Sequence, residues 1–299
     1  MLRSRLMYLF LILLFVPLSY AQEEQEKCGI TNLASCISQK LYEYTLTIIN
    51  APLQPFLTLT KHFLTEPVII DNFISLWAII IYIISLFYGL FIIFAGFNLI
   101  VSGYSAERRE KAKLWLKNVL LMIFFVQSSF YIYSALIELS SSMTAGVINL
   151  IDPNFFLLTV DNVVNIGLQL ILAIPYLLTL LLTIILLSLR YLLVAVGVTL
   201  FPFGLFLYFI PPLKSYGKLI INILLIIIFL PFIHSLILLT ASKLLEIPAY
   251  QNYKIVLMVS SFTLINISMI FLIFFAIVKS AFAVINSDVG RAVTKIVKT

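Results

Sequence analysis

Residues Arg190 to Lys218 read RYLLVAVGVTLFPFGLFLYFIPPLKSYGK, and how the chain passes through them decides the fold. The stretch is too apolar for water, yet Phe201-Pro202-Phe203-Gly204 interrupts its centre and Pro211-Pro212 closes it. Proline has no N–H and its ring crowds the preceding turn, so an unbroken helix is not expected through Pro202. Backbone released from helix at membrane depth survives only when buried in protein or beside a water-filled cavity. The number of membrane crossings around this stretch therefore sets the architecture.

Composition supports that frame. Of 299 residues, 62% are hydrophobic and only 11% charged, with a mean hydropathy of +1.12. Soluble domains carry roughly 25% charged residues, so the chain reads as an all-α, polytopic helical membrane protein. Two His, two Cys and thirteen acids leave little material for catalysis or metal binding. The net charge of +6 admits a nucleic-acid partner, but basic residues beside spans ordinarily report orientation.

Upstream, Arg3 and Arg5 precede an apolar run from Leu6 to Leu18 and then Ser19-Tyr20-Ala21, so residues 1–21 read as a signal peptide cut before Gln22. An uncleaved anchor is the alternative. Residues 22–72 then form an external segment. Cys28 and Cys36, the only cysteines, both fall in it. An even pair in an oxidising compartment reads as a disulfide, with two unpaired thiols as the alternative. Apolar Leu33, Ile37, Leu41, Tyr44 and Ile48 recur at helical spacing, which predicts an amphipathic external helix. Pro52 and Pro55 are expected to break it, leaving Leu53 to Leu64 as a second piece.

Residues 73–283 form the predicted transmembrane helical domain, and 284–299 a cytoplasmic tail. Ile74 to Val101 is the first span. Five Lys/Arg between Arg108 and Lys117 follow it, which places that turn inside, with Ser105 as the helix N-cap. Leu114 to Leu139 returns outward, and its Gln127, Ser128 and Ser129 are suited to bonding a neighbouring helix. Residues 140–165 hold no Lys or Arg and read as external.

From Ile166 to Ile210 the chain is largely apolar for 45 residues, enough for two spans of about 20. Parity argues against two. Lys214 and Lys218 beyond it read as cytoplasmic, as does the tail with Lys279, Arg291, Lys295 and Lys298. Leu219 to Leu239 and Ile255 to Ile277 complete the set. The simplest solution is one span, Ile166 to Leu189, ending at Arg190. Tyr191 to Ile210 would then form a re-entrant broken helix hinged at Pro202-Phe203-Gly204. Inner segments then hold twelve Lys/Arg and outer ones five. The result is about five spans, N-terminus out and C-terminus in. Six full spans is the rival.

Polar residues within the spans are few: Asn98, Gln127, Gln169, Asn222, His234 and Asn266. None is acidic, whereas coupled transporters usually carry buried carboxylates. His234 is expected to be hydrogen-bonded between helices. There is no phosphate loop, His-Glu-x-x-His, Cys-x-x-Cys or nucleophile elbow, so no cofactor is expected and the sequence points away from an enzyme.

Ala95-Gly96-Phe97 through Val101-Ser102-Gly103, with Glu107 to Lys113 and a following span, resembles membrane subunits of conjugation machinery. Arg190-Tyr191-Leu192, Leu200 to Gly204 and Pro211 to Lys218 resemble the central signature of the polytopic TrbL-type subunit of type IV secretion systems. The archaeal CedA-like DNA-import proteins are a comparable small version. The resemblance spans roughly residues 74–280. It implies a channel or scaffold subunit in an oligomeric assembly, with membrane lipid around it. Its partners would be a transfer ATPase inside, and pilin or other channel subunits outside. Arg190, Pro202, Phe203, Gly204, Pro211 and Pro212 are the candidate conduit residues. Arg108, Arg109, Lys111, Lys113, Lys214 and Lys218 are the candidate cytoplasmic contacts, with non-specific contact to translocating DNA. A small-molecule permease using the Pro202–Gly204 break, and an assembly scaffold without a pore, are the competing readings.

The exported cysteines supply a direct test. Intact protein isolated without reductant is expected to resist alkylation at Cys28 and Cys36 until reduced; immediate labelling of both in the native state would refute the disulfide.

Overall fold

The computed structural model describes residues 33–157, 166–251 and 253–285, with a few side chains outside that description. The segment expected to be a signal peptide, Cys28, the side chain of Cys36 and all but the first two residues of the 284–299 tail lie outside the described residues. The chain divides into two units, residues 1–45 and 46–299. Of the first, residues 33–45 are described and helical, with Ile37, Leu41 and Tyr44 exposed.

The described residues form eight α-helices. These are α1 (Leu33–Thr65), α2 (Ile74–Val101), α3 (Ala106–Gln127), α4 (Ser129–Ile148), α5 (Ile166–Phe209), α6 (Lys214–Leu244), α7 (Pro248–Gln251) and α8 (Lys254–Ile285). Four are long and apolar enough to cross a membrane, or five if the bent pair α3–α4 counts as one span. That composition fits a multi-pass membrane protein.

Two expectations about proline are overturned. Helix α1 continues through Pro52 and Pro55, and α5 runs 44 residues with Pro175 and Pro202 inside it. No hairpin is hinged at Pro202-Phe203-Gly204. Pro202 deprives only the Val198 carbonyl of its usual donor. Two half-helices would instead leave up to four C=O groups unpaired at the new C-terminus and four N–H groups at the new N-terminus, where lipid offers no replacement. At about 1.5 Å per residue, α5 is about 66 Å long, twice the hydrocarbon thickness of about 30 Å.

The interruption falls elsewhere. The expected span Leu114–Leu139 bends by 61° between α3 and α4, at Gln127-Ser128. There the Trp77 indole N–H donates to Ser129 Oγ at 2.9 Å, so a polar residue expected to bond a neighbour does so beside the bend.

Packing fixes the directions of the helices in the larger unit. Tyr176 lies against Phe262, with ring centroids 5.8 Å apart, and Thr183 Oγ1 donates to Asn266 Oδ1 at 2.9 Å, so α5 and α8 run parallel. Trp77 joins the cluster around Val194 and Phe201, while Phe87 and Phe91 meet Phe206 at 6.2 and 5.8 Å. Helix α2 is therefore parallel to α5 as well. Tyr133 reaches Val194 and Ser140 reaches Ile228, so α4 continues in the sense of α3, opposite to α5. The basic turns after α2 and α5 consequently share one end of the bundle. Helices α2 and α3 pack on the C-terminal half of α5, around Val119, Met122 and Phe206. Helices α4 and α8 pack further toward its N-terminus.

The α5–α6 hairpin turns at Pro211–Leu213, as the Pro211-Pro212 pair predicts. Its arms cross at two glycines. A Cβ on Gly217 would sit 2.2 Å from Tyr208 N and 2.6 Å from Gly204 O, and one on Gly204 would meet Ile220 Cγ2 at 2.9 Å. Gly204 is thus a contact surface for α6 and not a hinge. Gly217→Ala should destabilise by about 1–3 kcal/mol through overpacking against rigid backbone. Gly96→Ala, with nothing within 4 Å of its Cβ, should be neutral or mildly stabilising. Equal thermal midpoints for the two purified variants in detergent would refute the close crossing.

Candidate functional site

Pro231 lies inside α6 and cannot donate to Ile227, four residues earlier. Arg190 replaces the missing donor from α5. Its Nε donates to the Ile227 carbonyl at 3.0 Å and its Nη2 to the Ile228 carbonyl at 3.2 Å. Ser140 Oγ of α4 donates to the same Ile228 carbonyl at 2.7 Å. Three helices therefore converge on two peptide oxygens at a proline.

Arg190 is only 5% exposed and forms no ion pair among the described residues. It was expected at the cytoplasmic end of a span; the structure places it in the interior of a double-length helix. One turn along α5, the Tyr133 hydroxyl donates to the Val194 carbonyl at 2.7 Å. Gly197 permits that approach, since a Cβ there would lie 2.1 Å from the Tyr133 oxygen. One turn beyond Pro231, His234 is fully buried and within electrostatic reach of Arg190. Neither His234 nitrogen has a hydrogen-bond partner among the described residues. This corrects the expectation of a bonded histidine: burial among apolar helices supplies no donor or acceptor at its ring edge.

A buried guanidinium without a carboxylate is a departure from ordinary packing, because desolvating one ion costs several kcal/mol. Carbonyl dipoles recover part of this, and intramembrane ionisable groups mark function by default. Chemically, the cluster can hold a fixed positive charge inside the bundle and present an imidazole with two open positions.

Further polar contacts tie segments of the chain together. Asn266 Nδ2 donates to the Thr179 carbonyl at 3.0 Å, the Tyr176 hydroxyl to the Phe156 carbonyl at 3.0 Å, and the Ile69 N–H to Tyr191 Oη at 3.1 Å. Such bonds each stabilise a membrane bundle by about 0.6 kcal/mol.

The sequence-derived candidates do not form one site. Pro202 and Gly204 are buried against the bundle, Phe203 is exposed, and Pro211 and Pro212 lie exposed on the hairpin turn. Arg108, Arg109, Lys111, Lys113, Lys214 and Lys218 are exposed at the common end. Ser105 caps α3, accepting from the Arg108 N–H at 3.3 Å, as its position predicts. The Arg190–Pro231–His234 cluster was not anticipated. Its signal was present: an arginine at the midpoint of a long apolar run, and a proline three residues before the only histidine inside a span. No protein-family model, curated protein or solved structure matches the chain.

A double-mutant cycle tests the cluster. Pro231→Ala restores an N–H for Ile227, so Arg190→Met should be less destabilising in that background by about 1 kcal/mol or more, the scale of one intramolecular hydrogen bond. Additivity within about 0.5 kcal/mol would show that the guanidinium does not serve the carbonyl that proline frees.

Proposed function

We propose that the chain is a non-enzymatic, integral membrane channel or scaffold subunit of a type IV secretion-like apparatus that moves DNA in conjugation or import. It crosses the cell membrane five times, with α3–α4 as one broken crossing, its N-terminus outside and its C-terminus in the cytoplasm. The observation that carries this reading is the parallel course of α2 and α5. It brings the turns bearing Arg108, Arg109, Lys111 and Lys113, and Lys214 and Lys218, to one end. That end forms a basic face suited to an acidic surface of a cytoplasmic ATPase or to the phosphates of DNA in transit. Helix α2 buries only Ile81, Ile84 and Ala95 along its length. Its remaining apolar surface suits lipid and neighbouring channel or pilin subunits in an oligomer.

A second reading, a small-molecule permease, is supported by Arg190 and the unpartnered His234 beside Pro231. A buried charge beside a helix carbonyl freed by proline is the kind of polar site that transporters place at membrane depth. In that reading the site lies at Pro231 within α6 and not at Pro202–Gly204.

Deleting the gene in the native cell should abolish DNA transfer. Complementation with Lys214→Glu/Lys218→Glu should insert in the membrane normally yet restore transfer at least tenfold less well than wild type. Normal transfer in the deletion strain would refute the proposal. Solute uptake by the purified protein alone in vesicles would establish the permease in its place.

A further inference from the structure

At the basic end, α2 and α3 diverge around a cleft of about 840 Å³. Arg109, Lys113 and Lys117 line one side of it, at successive intervals of four on α3. Intervals of four stack side chains on one helical face, and eight residues cover about 12 Å of axis. Ile100, Leu116 and Leu120 line the same cleft. Ile100 and Leu120 are 79% and 57% exposed, so the apolar wall is open to an occupant.

The charges of this turn are not equivalent. Lys111 pairs with Glu107 at 2.6 Å and Lys113 with Glu110 at 3.1 Å, both pairs well exposed. Exposed pairs of that kind contribute about 0–1 kcal/mol and yield readily to a competing anion. Arg109 and Lys117 form no ion pair among the described residues. The cleft thus offers the unpaired charges of Arg109 and Lys117, the weakly held charge of Lys113, and bare aliphatic surface along the same stretch of helix.

We propose that this cleft binds an anionic phospholipid, with the headgroup phosphate on Arg109, Lys113 and Lys117 and an acyl chain along Ile100, Leu116 and Leu120. An amphiphile is the occupant that uses both surfaces. Inorganic phosphate or a nucleic-acid backbone would engage the cations and leave the aliphatic wall unpaired. Lysines and arginines near an anionic lipid surface contribute about 1 kcal/mol each, so three cations give a preference over a zwitterionic lipid on the order of 100-fold.

The test uses the full chain purified in mild detergent, titrated with phosphatidylglycerol and separately with phosphatidylcholine, with bound lipid counted by native mass spectrometry. Phosphatidylglycerol is expected to bind at least tenfold more tightly. Arg109→Gln/Lys113→Gln/Lys117→Gln should erase that preference while unfolding at the wild-type temperature. Arg108→Gln/Lys111→Gln, which removes two charges from the same turn but outside this cleft, should retain it. Equal binding of the two lipids, or a preference that survives the triple variant, would overturn the proposal. So would displacement of the lipid by equimolar inorganic phosphate or by a single-stranded oligonucleotide.

Discussion

The guanidinium of Arg190 stands in for a peptide N–H that Pro231 lacks, and the arrangement of helices depends on that substitution. A proline inside an apolar helix leaves a carbonyl that lipid cannot satisfy. Here the donor comes from a neighbouring helix and carries a full charge. The bond sets the level at which α5 meets α6, and Ser140 brings α4 to the same carbonyls. A neutral donor would have closed the carbonyl with less desolvation. The desolvation is therefore a cost that the carbonyl bonds only partly offset, and His234, one turn beyond Pro231, adds an imidazole without a partner among the described residues.

Close approach of backbone is the second constraint. Gly204 and Gly217 let α5 and α6 touch near their turn, and Gly197 admits the Tyr133 hydroxyl to the α5 backbone. Small residues in a membrane bundle take the role that the hydrophobic effect plays in water, because lipid tails give helices little reason to associate. The long α5–α6 hairpin therefore becomes a spine, with α2 and α3 along one half of α5 and α4 and α8 along the other.

That spine relates the interior cluster to the surface. The α5–α6 hairpin brings Arg190 against α6, while the parallel course of α2 and α5 sends the turns after them to one end. A basic face and a buried cation are thus features of one continuous helix pair.

Composition and periodicity determined the all-helical, membrane-type class, and the first span was legible to the residue, Ile74–Val101. The Ser105 cap and the Pro211-Pro212 turn were legible too, because local geometry suffices for them. Tertiary structure decided what local rules could not. Pro202 stays in a helix because breaking it would orphan more backbone than one proline does, and Ser128 bends where no proline stands. Arg190 looked like a boundary because a charge amid apolar residues ordinarily marks water. Its partner carbonyls lie 37 and 38 residues away in sequence, on a helix whose register only packing sets.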